Sequence, residues 1–132
     1  MSEPVRPVLQ QSDQLMAGPE ELLARMVAEV FNEPDADRRA AAIAEVYAPD
    51  VVFVDADHEV HGREELAATV TGLLAQGPGL VFTPVGSFRG VGDLGVRSWR
   101  LGPPGGEPVL GGLDVAQVVD GRIARLWTLL DG

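Results

Sequence analysis

The chain has 132 residues and a net charge of −10, with 20 acidic against 10 basic side chains, and it contains neither cysteine nor lysine. Its length corresponds to a single domain. The missing residue types exclude disulfides, thiolate nucleophiles, cysteine-ligated metals and Schiff-base chemistry. The acidic balance argues against binding to nucleic acids or to anionic membranes.

Residues 1–18 show neither periodicity nor a signal-peptide pattern, so we expect a flexible tail ahead of one domain over residues 19–132. No apolar run approaches the ~20 residues of a membrane span. The composition is rich in Ala, Gly, Val and Pro, with arginine in place of lysine, as is typical of a GC-rich bacterial genome. We therefore expect a bacterial protein of the cytoplasm.

Three helices are predicted in the first part of the chain, over about residues 19–33, 36–48 and 63–76. Each has apolar residues at helical spacing and ends where proline or glycine follows. A short strand rich in β-branched residues, Val51–Asp55, lies between the second and third helices. An extended piece continues from it to Val60.

The second half of the chain predicts four further strands joined by turns rich in glycine. They cover Leu80–Arg89, Gly95–Leu101, Pro108–Val119 and Arg122–Leu130. Asp120-Gly121 between the last two is the strongest hairpin signal in the chain. Helices followed by a long antiparallel meander indicate the α+β class, with the helices packed on one face of the sheet.

Alternation along the strands brings chemically active side chains to apolar faces. Asp55 shares its face with Phe53, and Asp114 is the ionisable residue on an otherwise apolar face of its strand. If these faces line one cavity, a carboxylate there is desolvated and its pKa rises. The candidate catalytic residues are Asp55 and Asp114, and the candidate substrate-binding residues are Phe53, Arg97, Trp99 and Leu126.

Several of these residues have a second interpretation. Asp55 is also placed to cap the turn after its strand, and Asp114 could be a structural ion-pair partner of Arg97. His58 and His61 follow Asp55 closely and are candidates for a proton shuttle. A metal ion shared by the two histidines is disfavoured, because residues three apart on an extended chain point to opposite faces.

The sequence also lacks the usual motifs of cofactor and nucleophile chemistry. Its glycines follow neither a P-loop spacing nor a strand–GxGxxG–helix pattern. It has no Gly-x-Ser-x-Gly elbow. We therefore expect neither a cofactor nor a metal.

Three motifs follow one another along the chain: YAPDVVFVD after two helices, HEVHGREEL at the start of the third, and GGLDVAQVVDGRIARLWTLLD near the end. In this order they resemble the nuclear transport factor 2-like superfamily, in particular its SnoaL-like polyketide-cyclase and ketosteroid-isomerase branch. The resemblance covers roughly residues 19–131. It implies a cone, in which a curved antiparallel sheet wraps around three N-terminal helices and leaves a deep apolar pocket.

The same resemblance implies roles for the two aspartates. Asp55 matches the general-base aspartate of the ketosteroid isomerases, and Asp114 matches their oxyanion-side aspartate, which is kept protonated. The position of that family's oxyanion tyrosine corresponds to about Met26. We therefore expect a cofactor-free enzyme of isomerase, cyclase or dehydratase type, acting by proton transfer on a small apolar carbonyl or polyketide-like substrate. The alternative is a non-catalytic module that binds a small ligand or a protein.

A second apolar face lies on the strand that carries Asp114. Val109, Leu113, Val115 and Val119 share the face opposite the aspartate. Because exposed apolar faces of this size mark interfaces, we expect a homodimer. Trp127 could face either the partner or the core.

Overall fold

The computed structural model describes residues 16–131. Helix α1 begins as an α-helix over Pro19–Arg25 and continues as a π-helix over Met26–Phe31. Helix α2 covers Ala36–Val46 and helix α3 covers Arg63–Gln76. None of the described helices has the length and apolar character needed to cross a membrane. The tail expected over residues 1–18 lies almost entirely outside the described residues.

Local interactions explain where the helices begin and end. The Asp35 carboxylate accepts a hydrogen bond from the Arg38 backbone N–H at 3.0 Å and so caps α2. The Asn32 N–H donates to the carbonyl of Val27, five residues back, at 2.9 Å, which widens the last turn of α1. The apolar spacing of this segment is that of a regular helix, so the sequence did not indicate the wider turn.

Six strands form one curved, unclosed sheet. They are β1 Tyr47–Val54, β2 Glu59–His61, β3 Val81–Val91, β4 Leu94–Gly102, β5 Leu110–Val119 and β6 Arg122–Leu130. Their order across the sheet is β2-β1-β6-β5-β4-β3. The predicted α+β class, with three helices against a curved sheet, is confirmed.

The expectation of a wholly antiparallel sheet is wrong for one pair of strands. β1 and β6 run parallel, with Phe53 opposite Leu126 and Val54 opposite Trp127. All other neighbours are antiparallel. Helix α3 and the meander β3–β5 return the chain so that β6 lies beside β1 and runs in the same direction. This pairing joins residues far apart in the sequence, so local patterns do not predict it.

The hydrophobic core lies between the three helices and the inner face of the sheet. Its members come from every helix and from β1, β2, β5 and β6, and they include Leu22, Met26, Val30, Ile43, Val46, Val51, Leu66, Val70, Ile123 and Leu126. The helices do not cover the whole inner face, because the inner side of the sheet near Asp114 borders open space. That space is the candidate site.

Candidate functional site: an apolar cavity with two aspartates

A cavity of about 310 Å³ lies between α1, the C-terminal half of α3 and the inner face of the sheet. Its wall contains three aromatic rings in edge-to-face contact: Phe31 and Phe82 have centroids 5.3 Å apart, and Phe82 and Trp99 have centroids 5.2 Å apart. Ligand cavities usually measure ~300–1,000 Å³ and have mostly apolar walls. The dimensions and lining therefore suit a small, largely apolar molecule.

Asp55 follows β1 directly and lines this cavity. Its Oδ1 accepts hydrogen bonds from the backbone N–H groups of Asp57 at 2.9 Å and His58 at 2.7 Å. The side chain is only 14% exposed. Both interpretations of Asp55 thus describe its position, since the carboxylate caps the β1–β2 turn and also borders the cavity.

His58 completes a pair with Asp55. Its ring Nδ1 lies 2.9 Å from Asp55 Oδ1 and 3.1 Å from Oδ2, and the ring lines the cavity. His61 is elsewhere, with its Nε2 3.1 Å from Glu59 Oε2 on the exposed surface. Of the two histidines considered from the sequence, only His58 reaches the site.

Asp114 projects from β5 into the buried end of the cavity and is 7% exposed. Burial raises the pKa of its carboxyl to about 6, whereas a hydrogen bond from the Thr128 hydroxyl at 2.7 Å opposes the rise. The nearby Trp99 indole N–H also opposes it, although Nε1 does not meet hydrogen-bond geometry with any described residue. Asp114 is therefore an acid that gains a proton just below neutral pH.

A buried tyrosine adds to the same electrostatic picture. Tyr47, at the start of β1, is fully buried, and its hydroxyl has no hydrogen-bond partner among residues 16–131. Burial raises its pKa well above 10, and the charge of Asp114 adds to the rise. Negative charge is thus disfavoured in this part of the molecule, which suits a protonated Asp114.

Two of the four predicted substrate-binding residues, Phe53 and Trp99, line the cavity, whereas Arg97 and Leu126 do not. Leu126 is fully buried in the core opposite Ala116, two pairs along the ladder from Asp114 and Thr128. Leu126 lies on the same face of the sheet as the cavity, but the sequence could not show where the helices stop covering that face.

Arg97 shares its strand face with Trp99 and stands opposite Asp114 in the ladder. Helix α1 packs on β4, and Pro19 and Phe88 close over Gly95 beside Arg97, so this stretch is separated from the cavity. No ion pair joins Arg97 to Asp114 among the described residues. The alternative of Asp114 as a structural partner of Arg97 is therefore wrong.

Some lining residues were not identified from the sequence. Thr128 stands directly opposite Asp114 in the antiparallel pair, so the predicted Asp120-Gly121 hairpin contained the signal that could have found it. Phe31 and Phe82 come from distant elements, and no local pattern indicates that they meet. Within residues 16–131, no group of three or more potential metal ligands comes together.

A curved, unclosed sheet packed against three helices, with a cavity on its inner face, defines an α+β protein of the nuclear transport factor 2-like superfamily. The SnoaL-like domain family matches residues 23–126, and the chain belongs to the SnoaL-like family. No curated protein matches the chain.

Solved structures agree with this assignment. A proposed isomerase of the SnoaL-like family from Agrobacterium tumefaciens is 31% identical with a TM-score of 0.80, and the match covers 85% of this chain and 96% of that chain. A proposed SnoaL-like polyketide cyclase from Jannaschia is 20% identical with a TM-score of 0.71, covering 84% and 83%. A proposed ketosteroid isomerase from Kribbella flavida is 19% identical with a TM-score of 0.64, covering 85% and 76%. The last two similarities show the fold alone.

Proposed function

We propose that the protein is a cofactor-free enzyme that moves a proton within a small apolar carbonyl or polyketide-like substrate, in an isomerase, cyclase or dehydratase type of reaction. One observation carries the proposal: Asp55 and Asp114 border the same apolar cavity. The Agrobacterium relative, a proposed isomerase, is consistent with this class.

The two aspartates suit two different tasks in such a reaction: removal of a proton from carbon, and stabilisation of the enolate oxygen that results. The Asp55–His58 pair is the basic end, because backbone N–H groups hold the Asp55 carboxylate at the cavity wall and His58 Nδ1 lies 2.9 Å from it. Asp114 is the acidic end, because burial raises its pKa to about 6 and its protonated form can donate a hydrogen bond to an enolate oxygen. Phe53 and Trp99 form apolar wall around the substrate.

Proton exchange tests the proposal without knowledge of the natural substrate. We expect the wild-type protein to accelerate exchange of the α-protons of 2-tetralone or 1-indanone in D₂O, followed by NMR. Asp55→Asn should lower the protein-dependent rate about 100-fold or more, because general-base catalysis contributes about 10²–10⁴-fold. Asp50→Asn, at an exposed aspartate within β1, should leave the rate unchanged.

Wild-type protein that gives only the buffer rate with both ketones would contradict the enzyme proposal. Binding of these ketones without exchange would favour the alternative, a non-catalytic module that holds a small ligand.

We further propose that the protein is a homodimer. The outer face of β5 and β6 carries an apolar patch, in which Leu113 stands opposite Leu129 and Val115 opposite Trp127; the pair Gln117–Arg125 borders it. Leu129 is 56% exposed and Val109 is 64% exposed. Trp127 lies on this outer face, opposite Val115, and supports the proposal as a candidate contact with the partner. The cytoplasmic location and bacterial origin stay predictions.

A further inference from the structure

The turn between β1 and β2 holds a carboxylate and an imidazole in direct contact at the cavity wall. Asp55 Oδ1 accepts two backbone N–H groups and also lies 2.9 Å from His58 Nδ1. The lone pairs of this oxygen are therefore already engaged. Oδ2 is the freer oxygen, and it too faces His58 Nδ1, at 3.1 Å.

This geometry selects one tautomer of the histidine. Asp55 can only accept hydrogen bonds when ionised, so His58 must present a proton on Nδ1. Nε2, on the far side of the ring, then carries a free lone pair. It has no hydrogen-bond partner among residues 16–131, and the ring lines the cavity.

We propose that His58 Nε2 is the atom that accepts the substrate proton, with Asp55 as the positioning residue that sets the tautomer and stabilises the imidazolium. The inference rests on the proposed function and names its base. His58 is 38% exposed on its side chain, whereas Asp55 is 14% exposed, so the imidazole is the more accessible of the two groups.

The proton transfer balances without any further reactant. The C–H bond next to the substrate carbonyl breaks as Nε2–H forms, and the electron pair moves onto the carbonyl oxygen as an enolate. Protonated Asp114 donates a hydrogen bond to that oxygen. The imidazolium then returns its proton to the same carbon or to another carbon, and the second choice is an isomerisation.

The turn itself allows a discriminating variant. His58→Asn keeps a side-chain N–H donor near the position of Nδ1, so the contact with Asp55 is retained while the proton acceptor is removed. His61→Asn is the matched control, because His61 also contacts an acid, Glu59, but lies on the exposed surface.

Exchange of 2-tetralone or 1-indanone α-protons in D₂O is the first measurement. We expect His58→Asn to lower the protein-dependent rate about 100-fold or more, and His61→Asn to leave it within about twofold of wild type. Exchange that survives in His58→Asn but is lost in Asp55→Asn would overturn the inference and leave the proposed function standing. No exchange by the wild type would instead overturn the proposed function, and the role of His58 with it.

The tautomer of His58 is the second measurement, and it needs no substrate. The chain has two histidines, so long-range ¹H–¹⁵N spectra can be assigned with the His61→Asn variant. We expect the Nδ1–H tautomer for His58 in the wild type. In Asp55→Asn the backbone amides hold the asparagine oxygen at the Oδ1 position, which turns the NH₂ group towards Nδ1 and favours the Nε2–H tautomer. An Nε2–H tautomer in the wild type would overturn the inference.

Discussion

Asp114 is a carboxyl group placed where its charged form is poorly supported. Thr128 is its one hydrogen-bond donor with regular geometry in the described part of the chain, and no guanidinium pairs with it. A buried acid of this kind costs stability when it ionises. Because no ion pair in the described part of the chain accounts for this buried carboxyl group, its presence is consistent with a role of Asp114 in the site.

The pH dependence of stability follows from the raised pKa of Asp114. The native state keeps the proton to about pH 6, whereas the unfolded chain releases it near the usual value of 3.8. Unfolding therefore releases a proton in this window, and the free energy of unfolding falls as pH rises from about 4 to 6. The full loss is about 3 kcal/mol.

Asp114→Asn should remove this dependence, because an amide still accepts from Thr128 and never ionises. Urea unfolding at pH 4 and pH 7 measures this dependence. The free energy of unfolding of the variant minus that of the wild type should be up to about 3 kcal/mol larger at pH 7 than at pH 4. Asp50→Asn serves as the control. If the difference in free energy of unfolding between wild type and variant is the same at both pH values, the claim that folding raises the pKa of Asp114 is contradicted.

Strands β4 and β5 hold the indole of Trp99 against a glycine. Trp99 and Gly112 are directly opposite, and a Cβ added at Gly112 would lie 2.5 Å from Trp99 Cζ2 and 2.8 Å from the Leu129 carbonyl oxygen. Neither the indole nor the strand backbone can move away easily. The missing side chain at Gly112 thus leaves room for the indole of Trp99, which lines the cavity.

Gly112→Ala should therefore destabilise the protein by about 1–3 kcal/mol through overpacking, and push the indole towards the cavity. Gly111→Ala is the control, because its Cβ would meet the flexible end of Asp131 and cost less than about 1 kcal/mol. Urea unfolding followed by tryptophan fluorescence compares the two. Equal stability of both variants would argue against a tight contact at Gly112.

Strand periodicity accounts for what could be predicted of the site. Period-two alternation is a local property, so the sequence alone groups Phe53 with Asp55 on one strand face and Asp114 with apolar neighbours on another, and the structure places all three at the cavity. Which part of the inner face remains uncovered depends on where α1 and α3 pack, and this is why the sequence could not show that Arg97 and Leu126 lie outside the cavity lining. The hairpin signal and the helix-ending residues predicted most element boundaries, whereas the parallel pairing of β1 with β6 had no local signal.

The sheet has helices on its inner face and an apolar patch on its outer face. The described helices pack on the inner face, while Leu113, Val115, Trp127 and Leu129 lie together outside. Burying such a face against a second copy of the chain would remove it from water.

Sedimentation equilibrium tests the dimer. At concentrations of about 10–50 µM, far above the dissociation constant of a stable dimer, the wild type should have twice the mass of the chain. Val115→Arg, at the centre of the outer face, should produce monomers. Val91→Arg, at an exposed valine at the end of β3, should remain dimeric. A wild-type protein with the mass of a single chain at these concentrations would contradict the homodimer proposal.

The position of β6 governs when the site can exist. Among the described strands β6 comes last in the chain, yet it is third across the sheet, between β1 and β5. Until residues 122–130 join the sheet, no strand links β1 to β5, and the edges that β6 covers stay unpaired. Thr128, the donor to Asp114, arrives on that same strand. The cavity therefore forms only once β6, the last described strand, has paired with both β1 and β5.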